Sequence, residues 1–452
     1  MRRFIPFNRE QEYCLPPSLH DWLPENHLAR FIVEVVEQLD LSALLRRYTG
    51  GGSAAYHPAV MLALLVYGYA TGVFSSRKLE RATYDSVAFR FIAAELHPDH
   101  DTLANFRKTF LVELEDLFVQ VLSLAQAMKL VRLGTIALDG TKLKANASKH
   151  KALSHGHIEK LEAQLRAEAQ ALLQRAAAVD QEELADGIDL PQELARREAR
   201  LQALGEAKAK IAERAQVRDA LQQQDYAEKL ARREAQRQAG QKPRGQEPQP
   251  PTTGPQAKDQ INLTDEESRI MPSAQGFVQG YNGQAAVAAE TMLVIATTLT
   301  QATNDKQQLE PILKELDALP DGWGAVATLL ADNGYFSQAN VKACLDQGMT
   351  PLIALGRDSH QGPLAERLAP DAPPPTTDDP VLQMAHTLKT QAGRARYGQR
   401  KGTVEPVFGI IKQVLGFRQF SLRGLAAVSG EWKLVTMAYN LKRMHVLATA
   451  SA

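Results

Sequence analysis

Three acidic residues stand in surroundings suited to gripping a cation: Asp139 in TIALDGTKLKANASKHKA, Asp332 in TLLADNGYFS and Glu405 in GQRKGTVEPVFGIIKQVLGF. An apolar, β-branched run ending in Asp-Gly or Asp-Asn-Gly puts a carboxylate at the exposed end of a buried strand, where oxygen ligands can hold a hard cation beside a phosphate. Carboxylates brought together from two strands and a helix read as a split metal site. Two divalent cations about 3.5 to 4 Å apart can activate an attacking oxygen and stabilise a leaving one, which suits phosphoryl transfer on nucleic acid. The expected ligands are Asp139, Asp332 and Glu405, and the expected cofactor is a pair of Mg²⁺ ions for which Mn²⁺ can substitute. Each acid also has an ordinary reading. Asp-Gly and Asn-Gly are common turn signals, and a lone Glu near a helix start is favoured by the helix dipole.

Basic residues crowd around the third acid. The chain has a formal net charge of zero, which by itself argues against a polyanionic partner, but Gln391 to His445 holds ten Lys and Arg against only Glu405 and Glu431. Lys412 follows Glu405 by seven residues, about two helical turns, so both can face one side. Lys142 and Lys144, just beyond Asp139, are further candidates for phosphate contact. Tyr281, Asn282 and Gln284 in GYNGQ can line the site from a second strand or simply pack a strand end. Asn304 and Asp305 in ATND read best as a cap for the following helix.

The elements that must position these residues alternate in type. Residues 1–130 read as helices: apolar residues recur at three and four spacing in PENHLARFIVEVVEQLDLSALLRRY, and Pro58 opens HPAVMLALLVYGYATG. Ser75 or Ser76 caps a short helix carrying Arg77, Lys78 and Arg81, and Asp101 or Thr102 caps the next. Such helices suit either a helix-turn-helix-like DNA reader or a dimerisation scaffold. Residues 131–147 open a catalytic core with the strand TIALDG. Residues 148–274 leave it as a helical insertion with coiled-coil spacing of Leu194, Leu201, Leu204, Ile211 and Ala215, broken by Lys208 and interrupted near Gly187 and Pro191. This insertion ends in a Pro- and Gln-rich stretch expected to be a flexible linker. Residues 275–447 resume the core, and 448–452 form a tail. GFVQGYNGQAAVAAE and MLVIATTLT read as antiparallel strands, DKQQLEPILKELDAL as a helix, WGAVATLLAD as a buried strand, residues 359–380 as a loop, and Thr403 to Val414 as the helix carrying Glu405. The order strand, strand, strand, helix, strand, helix is RNase H-like. The fold class expected is therefore an α/β RNase H-like core with an all-α N-terminal domain and a long helical insertion.

In these motifs the chain resembles the DDE transposases of bacterial insertion sequences, in the group with a Tyr-Arg-Glu-Lys signature around the last acid. Tyr397, Arg400, Glu405 and Lys412 stand in similar places, although Arg400 lies one residue farther upstream than the usual spacing and Lys401 occupies the expected position of the arginine. NLTDEESRI, GFVQGYNGQAAV and ATNDKQQLEPIL are similar to the branch called insertion-sequence family 1182. The resemblance implies metal-dependent cleavage at terminal inverted repeats followed by strand transfer into target DNA. It also implies an N-terminal domain that recognises element ends, contact of Lys412 with DNA near the cut, and help from Arg400 or Lys401 and Tyr397. The expected partners are double-stranded DNA and further copies of the chain in a synaptic complex. Competing readings are a hydrolysis-only metal-dependent nuclease using the same acids, a DNA-binding regulator with a decayed core, and a coiled-coil scaffold.

With 452 residues, 44% of them hydrophobic, two or three domains with sizeable cores are expected. Cys14 and Cys344 are the sole cysteines, which speaks against a disulfide framework and fits a reducing cytoplasm, with the protein on the nucleoid when bound to DNA. PAVMLALLVYGYATGVF, interrupted by Gly and Thr, reads as a buried helix rather than a membrane span. The histidine clusters HPDHD and SKHKALSHGH lack the cysteine spacing of a structural zinc site.

Overall fold

The computed structural model describes residues 18–48, 55–179, 190–238, 240, 243, 245–273, 276–320, 322–356 and 371–451. The chain divides into two compact units, one made of Met1–Ala145 with Met271–Ala452 and the other of Asn146–Ile270.

Among the described residues the first unit begins with eight helices: α1 (Leu19–Trp22), α2 (Leu28–Gln38), α3 (Ser42–Leu45), α4 (Pro58–Thr71), α5 (Ser76–Asp85), α6 (Val87–Ala93), α7 (His100–Thr109) and α8 (Glu113–Ala127). α2 buries the stripe Ala29, Ile32, Val35 and Val36, the three-and-four spacing that marks it in sequence. α4 is apolar all round and almost wholly buried, so its length of 14 residues serves a core rather than a bilayer. No single described helix is long and apolar enough to cross a membrane. Ser75 stands at the start of α5, but the cap of α7 is Asp99 rather than Asp101 or Thr102, because its Oδ1 accepts from the Thr102 N–H at 2.8 Å.

A six-stranded mixed sheet follows. β1 (Thr135–Lys144) lies at its centre; β4 (Arg269–Ser273), β5 (Gly276–Ala288), β6 (Val294–Thr300), β7 (Thr328–Ala331) and β8 (Thr350–Ile353) complete it. β5 pairs antiparallel with β1, and β6 antiparallel with β5, while β7 and β8 run parallel to β1 on its other side. Helices α11 (Leu309–Asp317) and α12 (Gln338–Asp346) make the crossovers, and α13 (Pro380–Lys389), α14 (Gln391–Gly409) and α15 (Leu425–Ser451) close the unit. β1, β5, β6, α11, β7 and α12 follow the strand–strand–strand–helix–strand–helix order read from the sequence, while β4, whose residues were expected in the insertion, and β8 are additions to it.

The early helices and the sheet share one hydrophobic core through α15. Glu431 on α15 is fully buried and accepts from Tyr69 Oη at 2.8 Å and from the backbone N–H groups of Ser421 and Leu422; Arg107 donates to Tyr69 Oη at 3.1 Å. Lys442 Nζ donates to the Ala70 carbonyl at 3.0 Å.

Two expectations change here. The Glu405 helix begins at Gln391, not Thr403, because the Thr390 hydroxyl accepts from Gly393 N and caps a helix that runs through Gly398 and Gly402. It ends at Gly409 and widens into a π turn over Ile410–Val414, where Leu415 N donates to the Ile410 carbonyl at 2.9 Å. Glu405 therefore sits deep in a helix, which removes the ordinary reading of a first-turn acid. Of the loop expected over 359–380, residues 359–370 lie outside the described residues, and Asp379 caps α13.

The second unit is a helical hairpin of α9 (His155–Val179) and α10 (Leu190–Gln238), with a small antiparallel pair of β2 (Ala152–Ser154) and β3 (Gln260–Asn262) at its base. Its core is Ile158, Leu165, Leu204, Ala207, Ile211 and Ile261. Lys208, which breaks the apolar seam, is accommodated by Glu162 at 3.1 Å. Gly187 of the expected interruption lies outside the described residues. The Pro- and Gln-rich stretch expected as a flexible linker instead runs back along α10, because that helix offers three arginines to it. Arg233 donates to the carbonyls of Gly245 and Gln246, Arg218 binds the Gly254 carbonyl and both Asp259 oxygens, and Arg237 pairs with Glu247.

Candidate active site

The site grows from the open end of the sheet. β1 and β7 are parallel neighbours in register from Thr135 with Thr328 to Leu138 with Ala331, so Asp139 and Asp332 are the next residue on each strand. β7 stops there while β1 continues to Lys144 along β5, and on its other edge Lys144 bridges in parallel with Gln419. Asp332 turns the chain: its Oδ1 accepts from Gly334 N at 2.8 Å and caps the short turn Asn333–Tyr335.

Arg400 joins two of the three acids. From α14, which packs on β1 and β5, its guanidinium reaches Asp139 Oδ2 at 3.1 Å and Glu405 Oε1 at 3.4 Å. The arginine is 12% exposed against 21% for Asp139 and 51% for Glu405, so the Asp139 pair is the shielded and stronger one. Lys401, the other contender for this position, is exposed and makes no ion pair with the acids. Burial drives the Asp139 pKa up to about 6; the Gly140 N–H and Arg400 oppose the rise, and the charges of Asp332 and Asp305 add to it. For Arg400, burial pulls the pKa down, but Asp139, Tyr397, Asp332 and Glu405 outweigh it and hold the group above its ordinary value.

The cations beyond Glu405 lie along β1. Lys412, in the π turn, donates from Nζ to the Lys142 carbonyl at 2.9 Å, and burial followed by the Lys142 charge lowers its pKa. Lys142 lies 3.5 Å from Asp305 and is 18% exposed, whereas Lys144 is exposed. Tyr397 is partly buried on α14 one turn before Arg400.

Sequence reasoning gave Asp305 the wrong partner. Gln308 stands at the N-cap of α11, and the Asp305 side chain turns instead to β5, where its Oδ1 accepts from Asn282 Nδ2 at 2.6 Å and Gln284 Nε2 at 2.8 Å. Tyr335 Oη donates in turn to Gln284 Oε1. The available signal was the period of β5: Asn282 and Gln284 are two amides on the same face of the strand, followed by the small and apolar run Ala285–Ala288, and both are fully buried.

The donors are carboxylate and amide oxygens, the chemistry of a hard divalent cation rather than of zinc. The negative charge that Arg400 leaves uncompensated at Asp139 fits such an ion. Among the described residues no three His, Cys, Asp or Glu side chains are gathered closely enough to hold an ion as they stand. The Arg400 guanidinium, placed between Asp139 and Glu405, is a physical reason why the full set does not close.

Comparison with known proteins gives two matches. Residues 248–441 match the family model of the transposase DDE domain, and residues 17–109 match that of a transposase domain, DUF772. The first range includes Asp332 and Glu405; Asp139 falls between the two. No curated protein and no solved structure matches the chain.

Proposed function

We propose that this chain, which carries a transposase DDE domain behind a second transposase domain, moves an insertion sequence by cutting DNA at terminal inverted repeats and joining the freed ends to target DNA. The observation that carries the reading is the placement of Asp139 and Asp332 at matched ends of parallel neighbouring strands, with Glu405 tied to Asp139 through Arg400.

In the proposed reaction water attacks a phosphorus at the element end; the bond from phosphorus to the 3′ oxygen breaks, and that oxygen leaves as a 3′-hydroxyl. In the second step the same hydroxyl attacks a phosphorus of the target and displaces a target 3′ oxygen, so phosphodiester bonds are conserved. Asp139, Asp332 and Glu405 are the residues that would hold divalent metal, Mg²⁺ or Mn²⁺, which when bound supplies activation of the attacking oxygen and charge stabilisation of the leaving one. Arg400 engages both Asp139 and Glu405, so these two would close on the metal with Asp332 once Arg400 turns from them to a phosphate oxygen. Lys412 and Lys142, which meet on β1 beyond Asp139, would steady the phosphates on either side of the cut. The early helices, with Arg77 and Lys78 exposed on α5, are the proposed reader of the element end. Strand transfer by a pair of ends calls for more than one copy of the chain in the complex.

The test is a Mg²⁺-dependent assay on a labelled duplex ending in the element's inverted repeat, beside Asp332→Ala. Cleavage and joining by the wild type, both lost in the variant, support the reading. Cleavage without joining turns it into the hydrolytic nuclease, and tight binding without cleavage into the regulator.

A further inference from the structure

Asp305 belongs to the acid centre as a fourth carboxylate. It reaches the site from the loop between β6 and α11, and Gly140 makes room for it: a Cβ on Gly140 would lie 2.6 Å from Asp305 Oδ1 and 2.5 Å from Gln284 Nε2, so the space beside Asp139 belongs to that carboxylate. The two oxygens are used differently. Oδ1 is locked by Asn282, Gln284 and, at 3.5 Å, Lys142, whereas no described residue donates to Oδ2. Oδ2 borders the same glycine as Asp332: a Cβ on Gly334 would lie 2.9 Å from Asp332 Oδ1 and 3.7 Å from Asp305 Oδ2.

A second observation points to a ligand. Asn282 Oδ1 is buried with no hydrogen-bond partner, though the amide nitrogen of the same residue binds Asp305, and the orphaned oxygen lies 3.0 Å from where a Gly140 Cβ would be. A buried amide oxygen without a donor is costly, and ordered water is the usual remedy. Mg²⁺ keeps several of its waters when carboxylates hold it, and those waters are strong donors.

We propose that Asp305 Oδ2 and Asn282 Oδ1 accept hydrogen bonds from the water shell of a divalent cation held by Asp139 and Asp332, making Asp305 a positioning residue. The proposal rests on the metal-dependent reading above. Residues at this remove from a metal typically change its affinity ten- to a hundredfold. Removing the charge of Asp305 while keeping its shape loosens the cation without unfolding the sheet.

The experiment is calorimetric titration of the full chain with MnCl₂ for the wild type, Asp305→Asn and Gly140→Ala, with thermal unfolding in chelator alongside. Asp305→Asn is expected to bind Mn²⁺ ten- to a hundredfold more weakly than the wild type. Gly140→Ala, which displaces the carboxylate without altering its charge, is expected to weaken binding in the same direction and decides the matter if Asp305→Asn fails to fold. Wild-type affinity in the folded variants, even with lowered thermal stability, would overturn the proposal and leave Asp305 a structural residue. If the wild type itself takes up no Mn²⁺, the metal-dependent reading falls and this proposal with it, a result distinct from a wild type that binds and variants that bind equally well.

Discussion

Asp139 makes the metal-free protein pay for its site in a way that pH reveals. Its carboxyl titrates at about 6 in the folded chain against an ordinary 3.8, chiefly because it is buried. The folded protein therefore keeps a proton that the unfolded chain has already released. The stability this gives is complete below the unfolded value and is lost as pH rises through the folded one. About two pKa units correspond to about 3 kcal/mol over the whole range, of which about 2 kcal/mol falls between pH 4.5 and 7.5. Asp139→Asn cannot lose this contribution. In chelator, the stability of the variant relative to the wild type should rise by about 2 kcal/mol between those two pH values, measured by urea unfolding. All three tryptophans, Trp22, Trp323 and Trp432, lie in the unit that carries the sheet, so their fluorescence follows that unit. Added Mn²⁺ at pH 7.5 should stabilise the wild type and leave the variant unmoved. Parallel pH profiles for the two proteins would refute the argument, since they would mean that the buried charge is already compensated.

Arg400→Gln removes the guanidinium that sits between Asp139 and Glu405, and calorimetry should show Mn²⁺ binding about tenfold tighter, about 1.4 kcal/mol, even as DNA cleavage falls. Lys412→Ala should weaken DNA binding similarly on matched and unrelated duplexes and reduce the salt slope of affinity by about one, read by fluorescence anisotropy across a salt series. Glu431→Ala strips a buried acceptor from Tyr69 and from two backbone N–H groups and should destabilise the sheet-bearing unit by about 3 kcal/mol in urea.

The strand order was legible because β5, β6 and β7 carry apolar or β-branched runs bounded by turn residues, and Asp139 and Asp332 were legible because each ends such a run. The start of α14 was not, since Gly393, Gly398 and Gly402 lower helix propensity and only the Thr390 cap and tertiary packing override them. Asp305 was hidden for a related reason. An Asp a few residues ahead of a helix usually caps it, and only the fold shows two amides on β5 drawing its carboxylate away. The Pro-rich return along α10 was misread because composition reports the lack of a core but not the arginines of a neighbouring helix.

The insertion between β1 and β5 also sets a schedule for folding. Those strands are antiparallel neighbours, yet 131 residues lie between Lys144 and Gly276, and closing a flexible loop of that length costs about 3 kcal/mol more than closing a four-residue turn. At about 5 to 20 residues per second, β1 leaves the ribosome several seconds before its partner is made. During that wait its β-branched edge is open to other chains. The α9–α10 hairpin has a core of its own and is drawn shut at its base by β2 and β3, so once formed it replaces a long, loose connection with a short one. The same segment that delays the pairing of the central strands thus lowers its entropic barrier, and a lesion in the hairpin core would appear first as aggregation of newly made chain rather than as a fault in DNA chemistry.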